Sequence, residues 1–284
     1  LVGATGRLTF MSVAFSTKAS TLLALKGMLK SAKIAPLVIL TLKEWKENKA
    51  ACLTKIVDSL GSSPLIVRSS CSFEDTEGFS NAGMFLSIAD VSVEELPNSI
   101  DRVIESYGEA SQGDQVLIQP MLTDVLRSGV AFSHDPNTCA PYRVVNWSEG
   151  ADTSAVTSGI GGRVWQQAAL SPIPPPSYLL PVINLLSELL ELFDHSPIDC
   201  EFAITNIVED DVRKEVLWLL QARPLILSRG SELESEQAER LRNIEDKLEQ
   251  GMQSHPFLMG SRTLYGVMPD WNPAEIIGIR PKPL

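Results

Sequence analysis

The chain has 284 residues, 44% apolar and 21% charged, with a formal net charge of −11. That length buries one large core or two modest ones. A chain this acidic excludes nucleic acid and anionic membranes as expected partners, because phosphate surfaces reward the opposite sign. Cysteines 52, 71, 139 and 200 have no ligand-like spacing, and no apolar run approaches ~18 residues, so a reducing cytoplasmic setting is expected.

In chain order, Lys18 to about Lys30 reads as a helix and Leu37 to Leu42 as a strand. Lys43 to Leu60 reads as one helix with a charged outer face. Pro64 to Val67 is a short buried strand that delivers Arg68 into the polar loop Ser69 to Gly83. Ser92 to Gly108 is a further helix, with strands at Val116 to Met121 and Gly129 to Phe132. Arg143 to Trp147 and Val164 to Ala169 are two more strands around a Thr/Ser/Gly-rich stretch. The run Ser171 to Pro176 is a stiff connector. The amphipathic stretch ending at Phe193 is a helix that packs on a sheet. Strands follow at Ile198 to Phe202 and Leu217 to Pro224. Ser231 to about Gln250 has glutamates early and Lys247 late, which suits the helix dipole.

Chemistry concentrates in two of these places. On a strand, Asp199 and Glu201 point to one face, as do Gln221 and Arg223 on the other strand. Paired, they bring two carboxylates, an amide oxygen and a guanidinium together. Carboxylate and amide oxygens suit Mg²⁺, which takes one or two protein ligands and keeps water and phosphate in its other positions. Arginine grips phosphate bidentately. The second place is the loop after Arg68, whose hydroxyls, amides and glycines suit an anion. No P-loop or dinucleotide-binding glycine fingerprint is present. On these residues alone, a solvated ion pair and an ordinary acidic loop remain open alternatives.

Taken together, the pieces resemble one family. Val67-Arg68-Ser69-Ser70, Glu74-Asp75 and Ala82-Gly83 resemble the V-R-S-S…E-D…A-G segment of the nucleotide-binding domain of phosphoenolpyruvate synthase and pyruvate phosphate dikinase. Gln119-Pro120-Met121, followed by Ser128 to Thr138, is similar to that domain's V-Q-x-M…G-V-x-F-T-x-D-P-x-T-G. Asp199-Cys200-Glu201 and Leu220 to Pro224 match its D-I-E and L-Q-x-R-P. Phe15 to Leu22 resembles its lysine-bearing opening. These segments span about residues 14 to 228, in the family's order.

The resemblance implies an α+β, ATP-grasp fold with two subdomains clasping ATP. It places an N-terminal subdomain at 1–112, a C-terminal subdomain with the metal site at 113–228, and a linker helix and tail at 229–284. ATP and Mg²⁺ are the implied cofactors. Lys18 and Arg68 would hold phosphates and Arg223 would act on the phosphoryl group that moves, making these three the catalytic set. Glu201 and Gln221 would bind Mg²⁺, with Asp199 beside them. Ser69, Glu74, Asp75 and Asp135 join the nucleotide-binding set, and Gln119 to Met121 form the edge against which adenine lies. The phosphoryl group would pass to a histidine on a swivelling domain and then to pyruvate.

The departures are specific. Cys139 stands where the family usually has glycine, and Ser154 where it often has a glutamate, which leaves Asp152 or Glu149 as substitutes, or an altered site. None of His134, His195 and His255 has the acceptor-histidine context. The swivelling and pyruvate/phosphoenolpyruvate domains are therefore expected elsewhere, and the start at Leu1 with a Pro-rich tail reads as part of a longer chain. Alternatives are another acceptor (a glucan or an antibiotic), a non-catalytic nucleotide-binding module, or an interaction domain with a decayed site.

Overall fold

The structure is a computed structural model that describes residues 13–71, 86–108, 113–150, 162–209 and 212–251. The chain divides into two compact units, Leu1–Ser231 and Glu232–Leu284. The first unit is α+β, as expected, and is built on two antiparallel sheets.

The first sheet takes β1 (Val38–Thr41), β2 (Leu65–Ser70), β3 (Ser87–Val91) and β4 (Gln115–Pro120), in the order β1-β4-β2-β3. Alternation sorts its side chains. Val38, Leu40, Leu65, Val67, Val116 and Ile118 enter one core, with Trp45 from α2 (Leu42–Glu47), Ile56 from α3 (Lys49–Leu60) and Ile100 and Val103 from α4 (Leu96–Glu105). The intervening Arg68 and Leu117, which are Cα partners, lie on the other face, and Leu117 joins the core of the second sheet.

The second sheet takes β5 (Val125–Phe132), β6 (Tyr142–Glu149), β7 (Arg163–Ala168), β8 (Ile198–Glu209) and β9 (Val212–Pro224), in the order β7-β6-β5-β8-β9. Cys200, Phe202, Ile204, Ala131, Val145 and Leu219 bury against Val182, Leu185, Leu186 and Leu189 of α5 (Leu180–Leu192). Asp199 and Glu201 therefore project from the opposite face. Gly129 is demanded by close approach, since a Cβ there would lie 2.1 Å from the Asn146 carbonyl oxygen on β6. The first turns of α1 (Lys18–Leu25) touch β4 and its body packs on β9, so this short helix spans the two sheets. Behind it, Lys33 adds a parallel bridge to the outer edge of β9.

Several expectations need correction. The single helix from Lys43 to Leu60 is two, because Asn48 leaves helical conformation and its side chain caps α3 by accepting from Ala51 N. Thr41 and Glu44 form a capping box on α2. The helix begun at Lys18 stops at Leu25, before a turn with Gly27 at φ +86°. Strand β4 is hydrogen-bonded between β1 and β2 in the first sheet. Strand β3, mostly exposed and without clean alternation, carried no sequence signal. The β8–β9 ribbon runs far past the two apolar segments, pairing polar residues such as Asn206 with Glu215.

The second unit contributes α6 (Glu234–Gly251), whose glutamates open the helix as expected. Arg240 pairs there with Glu232. No described helix is long and apolar enough to cross a membrane.

Candidate functional site

The two sheets meet over a charged cluster. On β8 and β9 the register sets Asp199 opposite Arg223 and Glu201 opposite Gln221, the arrangement expected from their alternation. Arg223 Nε donates to both carboxylate oxygens of Asp199, at 2.7 and 2.9 Å. Immediately beyond, the ladder slips. Glu201 pairs with Gln221 but Phe202 pairs with Leu219, which leaves Leu220 as a bulge. Arg68 reaches across from β2 and uses that irregularity. Its Nη1 donates to the Leu220 carbonyl at 3.0 Å and its Nη2 to Glu201 Oε2 at 3.0 Å.

Glu201 thus faces several cations. Burial pushes its carboxyl up, but Arg68, then Lys18 and Arg223, outweigh burial and hold it below the ordinary value. It is ionised at neutral pH and available as a hard oxygen ligand. The thiol of Cys200, on the other face, is pushed up by burial and by the two neighbouring carboxylates. All four cysteines are buried, and none forms a disulfide.

The structure brings Lys18, Arg68, Asp199, Glu201, Gln221 and Arg223 into one locality. Lys18 comes from the first position of α1 and is 6% exposed, and Ser69 and Gln221 are also buried. Gln119 lies on the Arg68 side of the first sheet, paired with Ile66, and its amide nitrogen donates to the Ala35 carbonyl at 3.5 Å. Met121, just past β4, is partly exposed, with its backbone amide on the Pro64 carbonyl.

Asp135 organises its own loop. One oxygen accepts Asn137 N and the other Thr138 Oγ1, at 2.9 and 2.8 Å. Burial raises its carboxyl, yet these bonds leave it lowered overall. Cys139, which stands in the family's glycine position, has φ +61° and accepts that strain while packed against Ser228 Oγ. His134, in the bend just after β5, is buried, with Nδ1 3.0 Å from Ser133 Oγ. Glu74, Asp75 and the departure from Ala151 to Gly159 lie outside the described residues.

Sequence reasoning missed the Leu220 carbonyl, because nothing in Leu-Leu-Gln announces a bulge. It also missed the hydroxyl network under α1. Ser70 Oγ accepts Ala19 N at 2.8 Å, and Gln115 Oε1 accepts Thr17 Oγ1 at 2.9 Å and Ser20 Oγ at 3.2 Å. Thr17 ahead of an apolar helix was the one available signal, as an N-cap.

A carboxylate and a carboxamide oxygen side by side form a donor set suited to Mg²⁺, which needs few protein ligands. Among the described residues, no cluster of three or more His, Cys, Asp and Glu side chains forms a fuller metal site. Three cationic side chains converge beside that pair, as a polyphosphate requires.

No protein-family model matches this chain, and no curated protein matches it. Solved structures do. The chain is 18% identical to a D-alanine–D-alanine ligase from Helicobacter pylori, covering 73% of this chain and 54% of that one at a TM-score of 0.41. It is 11% identical to D-alanyl-alanine synthetase A from Vibrio cholerae, covering 80% and 64% at 0.41. It is 13% identical to the biotin carboxylase domain of the Hydrogenobacter thermophilus 2-oxoglutarate carboxylase, crystallised with MgADP, ADP and bicarbonate, covering 78% and 41% at 0.41. The chain spans about half the length of the solved structures it matches.

Proposed function

We propose that this chain is an ATP-grasp nucleotide-binding domain that holds Mg-ATP between its two sheets and serves phosphoryl transfer. The observation that carries this reading is the convergence of Lys18, Arg68 and Arg223, from three separate elements, on the Glu201–Gln221 pair. Glu201 and Gln221 would hold Mg²⁺, which neutralises phosphate charge and orients the phosphate oxygens. Lys18 and Arg68 bind the phosphates, and Arg223, kept in place by Asp199, faces the group that moves. Phosphoryl transfer asks mainly for such positioning and charge neutralisation, so no protein nucleophile is needed here.

Within this reading the order of motifs from Lys18 to Pro224 favours the dikinase type, in which the phosphoryl group goes to a histidine on a separate domain and then to pyruvate. Such a protein works in the cytoplasm, where ATP is plentiful. Calorimetric titration with ATP, with and without Mg²⁺, tests the nucleotide site. Binding that requires Mg²⁺ and weakens in Glu201→Ala supports it, and absence of binding under all conditions overturns it. Transfer of label from ATP to a supplied swivelling domain, as acid-labile phosphohistidine, separates the dikinase from enzymes with other acceptors.

A further inference from the structure

Lys18 sits on a helix whose first turn is held by hydrogen bonds from the first sheet. Tyr107 follows α4, is 8% exposed, and places its hydroxyl at the end of the β2–β4 ladder. That hydroxyl accepts the Ser70 amide at 3.2 Å and donates to the Gln115 carbonyl at 2.6 Å. Ser70 and Gln115 are Cα partners on the last rung, so the phenol bridges the rung through its oxygen. Both bridged residues then turn their side chains to α1. Ser70 Oγ takes the Ala19 amide, and Gln115 Oε1 takes the hydroxyls of Thr17 and Ser20.

These bonds decide what α1 offers a ligand. An eight-residue helix holds little structure by propensity alone, so its first turn stays where tertiary bonds pin it. The amides of Ala19 and Ser20 are committed to Ser70 Oγ and Thr17 Oγ1. The helix end therefore withholds these donors from an anion, and the Lys18 side chain is what α1 contributes. Lys18 is buried between Thr17 and Ala19, the two residues that the Ser70–Gln115 rung grips.

We propose that Tyr107 is a positioning residue for Lys18, acting through the Ser70–Gln115 rung to set where that ammonium meets ligand phosphate. The phosphate part rests on the reading of the site given above, whereas the positioning of Lys18 does not.

The test uses the full chain and two readouts. In the nucleotide-free protein, amine-reactive labelling followed by mass spectrometry reports access to Lys18, with the exposed Lys49 and Lys55 as internal controls. Tyr107→Phe raises Lys18 labelling several-fold while the controls stay constant. Ser70→Ala does the same, and Ser70→Thr, which keeps the hydroxyl, stays near the unmodified protein. In Mg-ATP titrations Tyr107→Phe weakens binding about tenfold, and the Lys18→Ala/Tyr107→Phe double variant binds no more weakly than Lys18→Ala alone. Unchanged Lys18 labelling in Tyr107→Phe overturns the proposal, as do additive losses in the double variant. If Tyr107→Phe fails to fold, the Ser70 pair decides. If the unmodified protein binds no nucleotide, the functional reading fails while labelling still settles the role of Tyr107.

Discussion

Asp199 and Glu201 stand two residues apart on one strand, yet the guanidinium each one meets comes from a different distance. Arg223 reaches Asp199 from the neighbouring strand, where it is already the Cα partner, and the pair is set by local register. Arg68 reaches Glu201 from the other sheet, 133 residues earlier in the chain, and leans on a bulge carbonyl to do so. The first pair is part of a sheet. The second is a clasp between sheets, and it engages both a proposed metal ligand and a proposed phosphate ligand. Ligands that pull these two partners apart must do so together, since each leaves the other without its counter-charge.

The most severe way to break the contrast is Glu201→Ala. It removes the proposed metal ligand and leaves Arg68, whose side chain is only 11% exposed, without its counter-charge. Mg-ATP affinity is expected to fall at least about hundredfold. Denaturant titration should show a loss of roughly 2–4 kcal/mol, because one partner of a mostly buried pair is left uncompensated.

Next come the two arginines, which should behave differently. Arg223→Ala is expected to leave ATP affinity within about threefold while phosphoryl transfer falls by about a hundredfold or more, as for a lost transition-state donor. Equal losses of affinity and transfer would reduce Arg223 to a ground-state clamp. Arg68→Ala is expected to weaken Mg-ATP by about tenfold. The same variant should bind a divalent cation alone more tightly than the unmodified protein, since Glu201 loses its competing partner. Mn²⁺ titration monitored by paramagnetic resonance checks this, and weaker cation binding would mean the two ligands do not compete.

The smallest effect sharpens the comparison from outside the site. Glu188 on α5 is held by neutral donors rather than by a guanidinium, accepting Lys30 N, Ser31 N and Ser31 Oγ at 2.8, 2.8 and 2.6 Å. Burial raises its carboxyl, but the Ser31 hydroxyl and the two amides outweigh burial and leave it below its ordinary value of 4.5. A folded-state value below the unfolded one means its contribution is present above about pH 4.5 and lost as pH falls through the folded value. Urea titrations at pH 7 and pH 4 should therefore show a shallower acid loss in Glu188→Gln than in the unmodified protein.

The residues of the candidate site were unevenly legible. Period-2 alternation put Asp199 with Glu201 and Gln221 with Arg223, because side-chain direction on a strand is a local property. The buried helix before Phe193 was readable from its amphipathic pattern, which is equally local. Strand β4 was legible as a strand, but its place between β1 and β2 was not, because pairing partners are chosen by the packed chain. Asn48 could have been read as a cap, since a side chain that competes for backbone amides is a local signal.

What local pattern could not supply was anything that spans elements. The meeting of Arg68 with Glu201, the Leu220 bulge that receives its second nitrogen, and the Tyr107 bridge that places α1 all join segments far apart in sequence. Alternation and capping depend on neighbours within a few residues, and so the sequence carries them. Contacts between sheets depend on the packing that gathers Leu117 into one buried cluster with residues of α1, β8 and β9, and no window of residues contains that information.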